Sequence, residues 1–383
     1  MTLDELLSNE DLRRREFPVA QHRIFLGHAG VCPLPQRVVT AVADYAASAA
    51  TGDQEISALE KTLQTSRELT AKLINCQPDE VALVGPTSLA LSYVAAGLNL
   101  RKGDNILIYH DDYPSNVYPW MALAAKGVQV RLMNIRTLGV IRPRDVIGQV
   151  DENTRLVALA SCHFVSGYRI DHNAIGAELR KLKILFCLDA IQTLGAFPTT
   201  VENVDMLAAD AHKWLLGPCA AGVFYVRKAV QDSLKPAVYG WHNVRCPDFV
   251  AQESITFRSG AKRYEAGTHN LIGLVGMNAA LELLQEIGVE KIARELLRKR
   301  DLLVPALQTK GYTVLNADAA PENASGIVTF FKPDTDMPAL HQTLTDAKIA
   351  THLRADRKGQ KYIRLSPHFY NTDAELERVL EIL

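Results

Sequence analysis

Between residues 60 and 230, short β-rich runs alternate with longer stretches of helical period. The apolar runs are VALV at 81–84, NILIY at 105–109, VQVRLM at 128–133, LVALA at 156–160, ILFCL at 184–188 and GVFYV at 222–226. Helices of crossover length fit between them at 88–98, 118–125 and 173–182. Runs that stay apolar at nearly every position read as strands buried on both faces. The alternation therefore predicts an α/β domain with a large, doubly wound, mostly parallel sheet whose ligands collect at the carboxyl ends of its strands. The Ala-rich stretch 41–50 reads as one helix packed on one face.

Beyond the segment 236–260, which carries Pro236, Gly240, Pro247 and Gly260, the pattern changes. Long charged helices are expected at 271–287 and 289–309, then strands at 311–315, 326–331, 349–353 and 361–365, and a closing helix from Asp373. This predicts a smaller C-terminal α+β domain. The division expected is an N-terminal helical segment at 1–20, a large domain at 21–255 and a small one at 256–383.

Composition narrows the class of partner. A chain of 383 residues, 48% hydrophobic, buries a large core. A net charge of -1 and the lack of any long Lys/Arg run argue against nucleic acid or an anionic membrane and for a small-molecule ligand. Six cysteines without paired spacing, and a charged start unlike a signal peptide, fit a reducing cytoplasm. The apolar stretches are too short to span a bilayer.

The chemistry concentrates in ILFCLDAIQTLGAFPTTVENVDMLAADAHKWLLGP. The run 184–188 ends on Asp189, and a carboxylate at the end of a buried strand needs a cation. A protonated pyridine ring is such a cation, and pyridoxal 5′-phosphate (PLP) carries one. Gln192 stands within reach of a ring hydroxyl. Lys213, flanked by His212, Trp214 and Leu215, follows a second strand-like run; so apolar a setting depresses an amine's pKa and favours a Schiff base. Thr87 and Ser88 open a helix after a strand, where hydroxyls, amides and the helix dipole cradle a phosphate. Tyr113 follows the strand ending at Tyr109 and offers a face to stack on a ring. Each residue alone has a plainer explanation: a turn former, a surface lysine, a helix cap, loop packing.

Taken together, Asp189, Gln192, His212 and Lys213, with YEAGTHN (264–270) and IRLSPHFYNT (363–372), resemble the class V aminotransferase and cysteine desulfurase superfamily of fold-type I PLP enzymes over nearly the whole chain. The resemblance implies Lys213 as the Schiff-base lysine, Asp189 as partner of the pyridinium and Gln192 as ligand of the ring hydroxyl. It implies Tyr113 as the stacking residue, with Thr87, Ser88 and His212 on the phosphate. Gly267 and Thr268 would reach the phosphate of a neighbouring subunit, so a homodimer with shared sites is expected. Arg364 would pair with the α-carboxylate of an amino-acid substrate; His28 and His163 are further candidates to face it, a packed histidine being the alternative for His163.

Departures shape the expected reaction. No cysteine follows Cys246, so transfer of sulfur to an enzyme cysteine is not expected, and amino-group transfer ranks ahead of a lyase or an isopenicillin N epimerase-like reaction. Asp210 stands where many relatives have a phosphate-binding Ser and is expected to point away from a phosphate. Ser166 receives no role. A non-catalytic PLP-fold protein is the reading from another class, and retention of Lys213 counts against it. A nicotinamide dehydrogenase lacks its G-x-G-x-x-G turn here.

Overall fold

The computed structural model describes residues 1–55 and 59–383. Two short helices, Leu3–Ser8 and Glu10–Glu16, open the chain, each started by a side-chain cap: Thr2 in a capping box with Glu5, and Asn9 over the Leu12 N–H. Strand β1 (Ile24–Phe25) follows.

The large sheet contains β2 (Val81–Val84), β3 (Asn105–Ile108), β4 (Gln129–Leu132), β5 (Thr154–Ala160), β6 (Leu185–Asp189), β7 (Met206–Asp210) and β8 (Gly222–Val226). Their order is β2-β8-β7-β6-β5-β3-β4. From β4 to β7 neighbours run parallel; β8 is antiparallel to both β7 and β2. The mostly parallel α/β sheet read from the sequence is the one observed. Two cores clothe its faces, and side chains alternate between them: Val81 and Leu83 of β2 enter one, Ala82 and Val84 the other. That two-sided burial is why β2 and β8 are apolar at every position, whereas β4 at the sheet edge, QVRL, has no buried residue.

The helix Leu271–Ile287, capped by Asn270, packs against Gln36–Ala49 and Leu59–Ile74. At Gly288, whose φ of +92° suits glycine, the chain bends by 77° into the helix Val289–Thr309. The expected helix at 118–125 is instead one turn, Tyr118–Met121, continued as a tighter 3-10 helix over Ala122–Lys126.

The small sheet uses β9 (Thr313–Val314), β10 (Val328–Phe331), β12 (His352–Ala355) and β13 (Lys361–Leu365), with β11 (Ile349–Ala350) set apart. Its order is β12-β13-β10-β9, antiparallel throughout. The single strand expected at 349–353 breaks at Thr351, because its first half pairs in parallel with β1 while its second half pairs with β13. One face of this sheet, with Val328, Phe330, Ile363 and Leu365, buries against Leu303 and Leu307 of the long helix and against Leu376 and Val379 of the last, Asp373–Ile382. The opposite face turns towards the large sheet: Thr329 Oγ1 donates to Val165 O at 2.5 Å and Arg364 Nη1 to Phe164 O at 2.6 Å.

Candidate active site

β6 and β7 run parallel and end on Asp189 and Asp210, and Lys213 follows three residues after β7. Above these strand ends lies a cavity of about 410 Å³, roofed by the polar face of the small sheet. It brings together Thr87, Ser88, Tyr113, Gln192, His212, Lys213 and Arg364, seven residues drawn from segments far apart in the chain. Asp189, His28, His163, Gly267 and Thr268 are not part of its lining.

Lys213 is 7% exposed. Burial pushes its amine down to about 8; Asp189 pulls the value up, and Arg364 and Arg354 pull it down. Asp189, buried beneath, is pushed up to about 6 by burial, while the Ile191 N–H at 3.1 Å and the Lys213 charge hold it down. Behind it stands Asp112, which sequence reasoning passed over. Asp112 accepts from the Tyr113 N–H, Asn116 Nδ2 and the Ala160 N–H, and burial followed by the Asp189 charge pushes it up to about 7. Its signal was legible only as the second Asp of HDDYP, which nothing local distinguishes from Asp111.

Gln192 Oε1 accepts from Trp214 Nε1 at 2.9 Å and Nε2 donates to Ala29 O at 3.0 Å, which leaves one amide hydrogen for a ligand. Thr87, in the first turn of the helix Thr87–Gly97, has a buried Oγ1 without a partner. Ser88 Oγ donates to Ser115 Oγ at 2.7 Å. Asp210 accepts from the N–H groups of Ala211 and Ala220, and its Oδ2 lies 3.0 Å from His212 Nδ1. These donors at a helix N-terminus suit a phosphate, and a buried carboxylate beneath the cavity suits a protonated pyridine, so the residues present fit PLP.

Two histidines stand elsewhere than expected. His28 is fully buried, with Nδ1 on Ser366 O at 3.0 Å and Nε2 on the Tyr370 hydroxyl at 2.9 Å, so both ring nitrogens are spent inside the domain junction. His163 binds Ser166 Oγ and Asp111 O, and burial drives it down to about 4, so it stays neutral and ties two loops together. Gly267 and Thr268 border a second cavity of about 310 Å³, with Gly85, Tyr93 and Asn270. Its floor is Glu265, held by Arg67 at 2.6 Å, His269 Nε2 at 2.9 Å and the Leu83 N–H at 2.8 Å.

The cavity of Lys213 also contains His352 and Arg354, which the sequence reading assigned to no site. They alternate on β12 and so share the face of Arg364 on β13, where His352 stands directly opposite Arg364. Gly30 lies so close to the His352 ring that a Cβ would clash with Cε1.

The family model for class V aminotransferases matches residues 24–379. This chain belongs to that family of PLP-dependent enzymes. A probable cysteine desulfurase of Methanothermobacter thermautotrophicus is 29% identical, over 98% of both chains. An uncharacterized aminotransferase of Bacillus subtilis, YcbU, is 32% identical over 96% of this chain and 95% of its own. Among solved structures, the apo cysteine desulfurase of Thermococcus onnurineus NA1 superposes with a TM-score of 0.89 at 23% identity, over 97% of this chain and 96% of its own. The cystine C–S lyase C-DES, in complex with its reaction product cysteine persulfide, superposes with a TM-score of 0.86 at 23% identity, over 95% and 98%. The fold is that of fold-type I PLP enzymes.

These relatives correct the expected reaction. The ranking of amino-group transfer first, and the exclusion of desulfurase chemistry for want of a cysteine after Cys246, do not stand against relatives named as desulfurases over the full length of the chain. The physical reason lies in the division of labour. The β12–β13 loop, residues 356–360, holds no cysteine to receive sulfur, but breaking a carbon–sulfur bond needs only an electron sink and a proton transfer, which PLP and a lysine supply.

Proposed function

We propose that this enzyme cleaves the Cβ–Sγ bond of a sulfur-bearing α-amino acid. The observation that carries the reading is the opposition, within one cavity, of the Lys213 amine and the buried Arg364, whose Nε and Nη2 have no partner. A guanidinium presenting two parallel N–H groups matches a carboxylate. Full-length similarity to a probable cysteine desulfurase supports sulfur as the leaving atom.

PLP, when bound, supplies the sink for the electron pair left at Cα. Asp189 keeps a proton on the ring nitrogen by pairing with the charge it creates. Arg364 binds the α-carboxylate and turns the substrate so that its Cα–H bond faces Lys213. Lys213 Nζ, with its value near 8, takes up the Cα proton at neutral to mildly alkaline pH. The electron pair of the Cβ–Sγ bond then departs with sulfur. Tyr113 and Phe164 line the same cavity and meet edge-on at 5.3 Å. The same reading has two copies of the chain completing each other's sites, with Gly267 and Thr268 of one reaching the phosphate held by the other.

The test is release of sulfide from L-cysteine, or of cysteine persulfide from L-cystine, by the PLP-loaded protein, with pyruvate and ammonia as the other products. Release is expected, and is lost in Lys213→Ala. A loaded, folded protein that frees no sulfur from either compound overturns the reading.

A further inference from the structure

Three cations, Lys213, Arg364 and Arg354, border the cavity, and Asp189, the acid beneath Lys213, is not in its lining. Among the described residues no carboxylate forms an ion pair with either arginine. Arg364 spends Nη1 on Phe164 O, and Arg354 reaches only Leu353 O at 3.5 Å. Arg364 Nε and Nη2 and Arg354 Nε are buried without partners. Thr351 and His352, in the same lining, add a hydroxyl and a ring nitrogen that are likewise buried and unpartnered.

Arg364 is fully buried and Arg354 half-buried; a guanidinium taken out of water without counter-charge is costly, and two side by side repel each other. Arg364 is held well below its usual range, first by burial and then by Arg354. One α-carboxylate offers two oxygens and satisfies Arg364 alone. Arg354 stands two pairs further along the β12–β13 ladder, opposite Tyr362, and therefore meets a group displaced along the substrate from its α-carbon.

We propose that the substrate carries a second anionic oxygen group at the far end of its side chain, and that Arg354, with Thr351 and His352 beside it, binds that group. This rests on Arg364 holding the α-carboxylate as read above, and it names the substrate class: a sulfur amino acid with an acidic tail, such as a carboxylate or an oxidised-sulfur anion. His352 remains neutral, since burial and then Arg364 push it down to about 3, so it serves as a hydrogen-bonding group.

Two sulfur-free amino acids of similar length test this apart from the sulfur chemistry. L-α-aminoadipate ends in a carboxylate and L-norleucine in a methyl group. Binding of each to the PLP-loaded protein is read from the cofactor absorbance. The acidic ligand is expected to bind at least about tenfold more tightly, as a charge-assisted contact in a shielded site requires. That preference should shrink to about twofold in Arg354→Gln and should weaken in the unmodified protein as salt rises. Equal affinity for the two ligands in the unmodified protein overturns the proposal, even where the variant does not fold. So does a preference that survives Arg354→Gln unchanged. Failure to release sulfur from any cysteine derivative, with the acidic preference intact, would strike the reaction and leave the anion subsite standing.

Discussion

The ring of Tyr113 lies 5.2 Å from Lys213 Nζ and rests edge-on against Phe164 at 5.3 Å. An aromatic face so near the reactive amine is placed to cover a planar cofactor attached to that amine. Replacing Tyr113 by Ala should raise the PLP dissociation constant about two- to tenfold, the range of a lost aromatic stacking contact, while Tyr113→Phe should keep most of the affinity. Equilibrium dialysis against PLP decides it; equal loss in both variants would assign the effect to the hydroxyl.

The Lys213 amine should govern how fast cofactor attaches. Only the neutral amine reacts, so the rate at which apoprotein takes up PLP should rise with pH and level off above about 8, the value to which burial brings Lys213. Asp189, ahead of Asp210, holds this value up, so Asp189→Asn should move the midpoint lower. Stopped-flow absorbance across pH 6 to 10 checks both; a midpoint near an ordinary lysine's, about 10.4, would contradict the assignment. Borohydride should then fix the cofactor to the peptide containing Trp214.

Arg364→Lys should lower kcat/KM for α-amino acids by about 2 kcal/mol, roughly thirtyfold, because a point charge cannot reproduce two parallel N–H contacts. Amines lacking the carboxylate should lose far less. A loss of the same size for both would make Arg364 a structural residue that ties β13 to Phe164 O.

Asp112 gives a stability signature. Its native value, about 7, lies above the ordinary 3.8, so its contribution to stability is full below pH 3.8 and lost as pH rises through 7. Asp112→Asn has no such loss. The melting temperature of the variant minus that of the parent should therefore climb between pH 4 and 7, whatever its offset. A difference that stays flat over this window would mean that Asp112 is ionised at low pH in the folded protein.

Light scattering should report twice the 42.2 kDa chain mass, and Thr268→Ala should loosen PLP although Thr268 lines a cavity other than that of Lys213. A mass of one chain with full cofactor occupancy would contradict the shared site.

The strands of the large sheet were legible because burial on both faces leaves an unbroken apolar run, as in Val81–Val84 and Gly222–Val226, which the structure shows with the same limits. The ends of those runs were legible for the same reason: a charged residue directly after a buried strand, such as Asp189, has few places to go. Tertiary structure alone decided which distant groups meet. Arg354 and His352 had no role legible in the sequence; the small sheet turns their face onto the large one, and the break at Thr351 that allows it comes from two strands competing for different partners. His28 read as a candidate for the substrate, yet Ser366 and Tyr370, some 340 residues away, claim both its nitrogens. Local periodicity carries the burial of an element, whereas the direction of a polar side chain depends on what the rest of the chain brings against it.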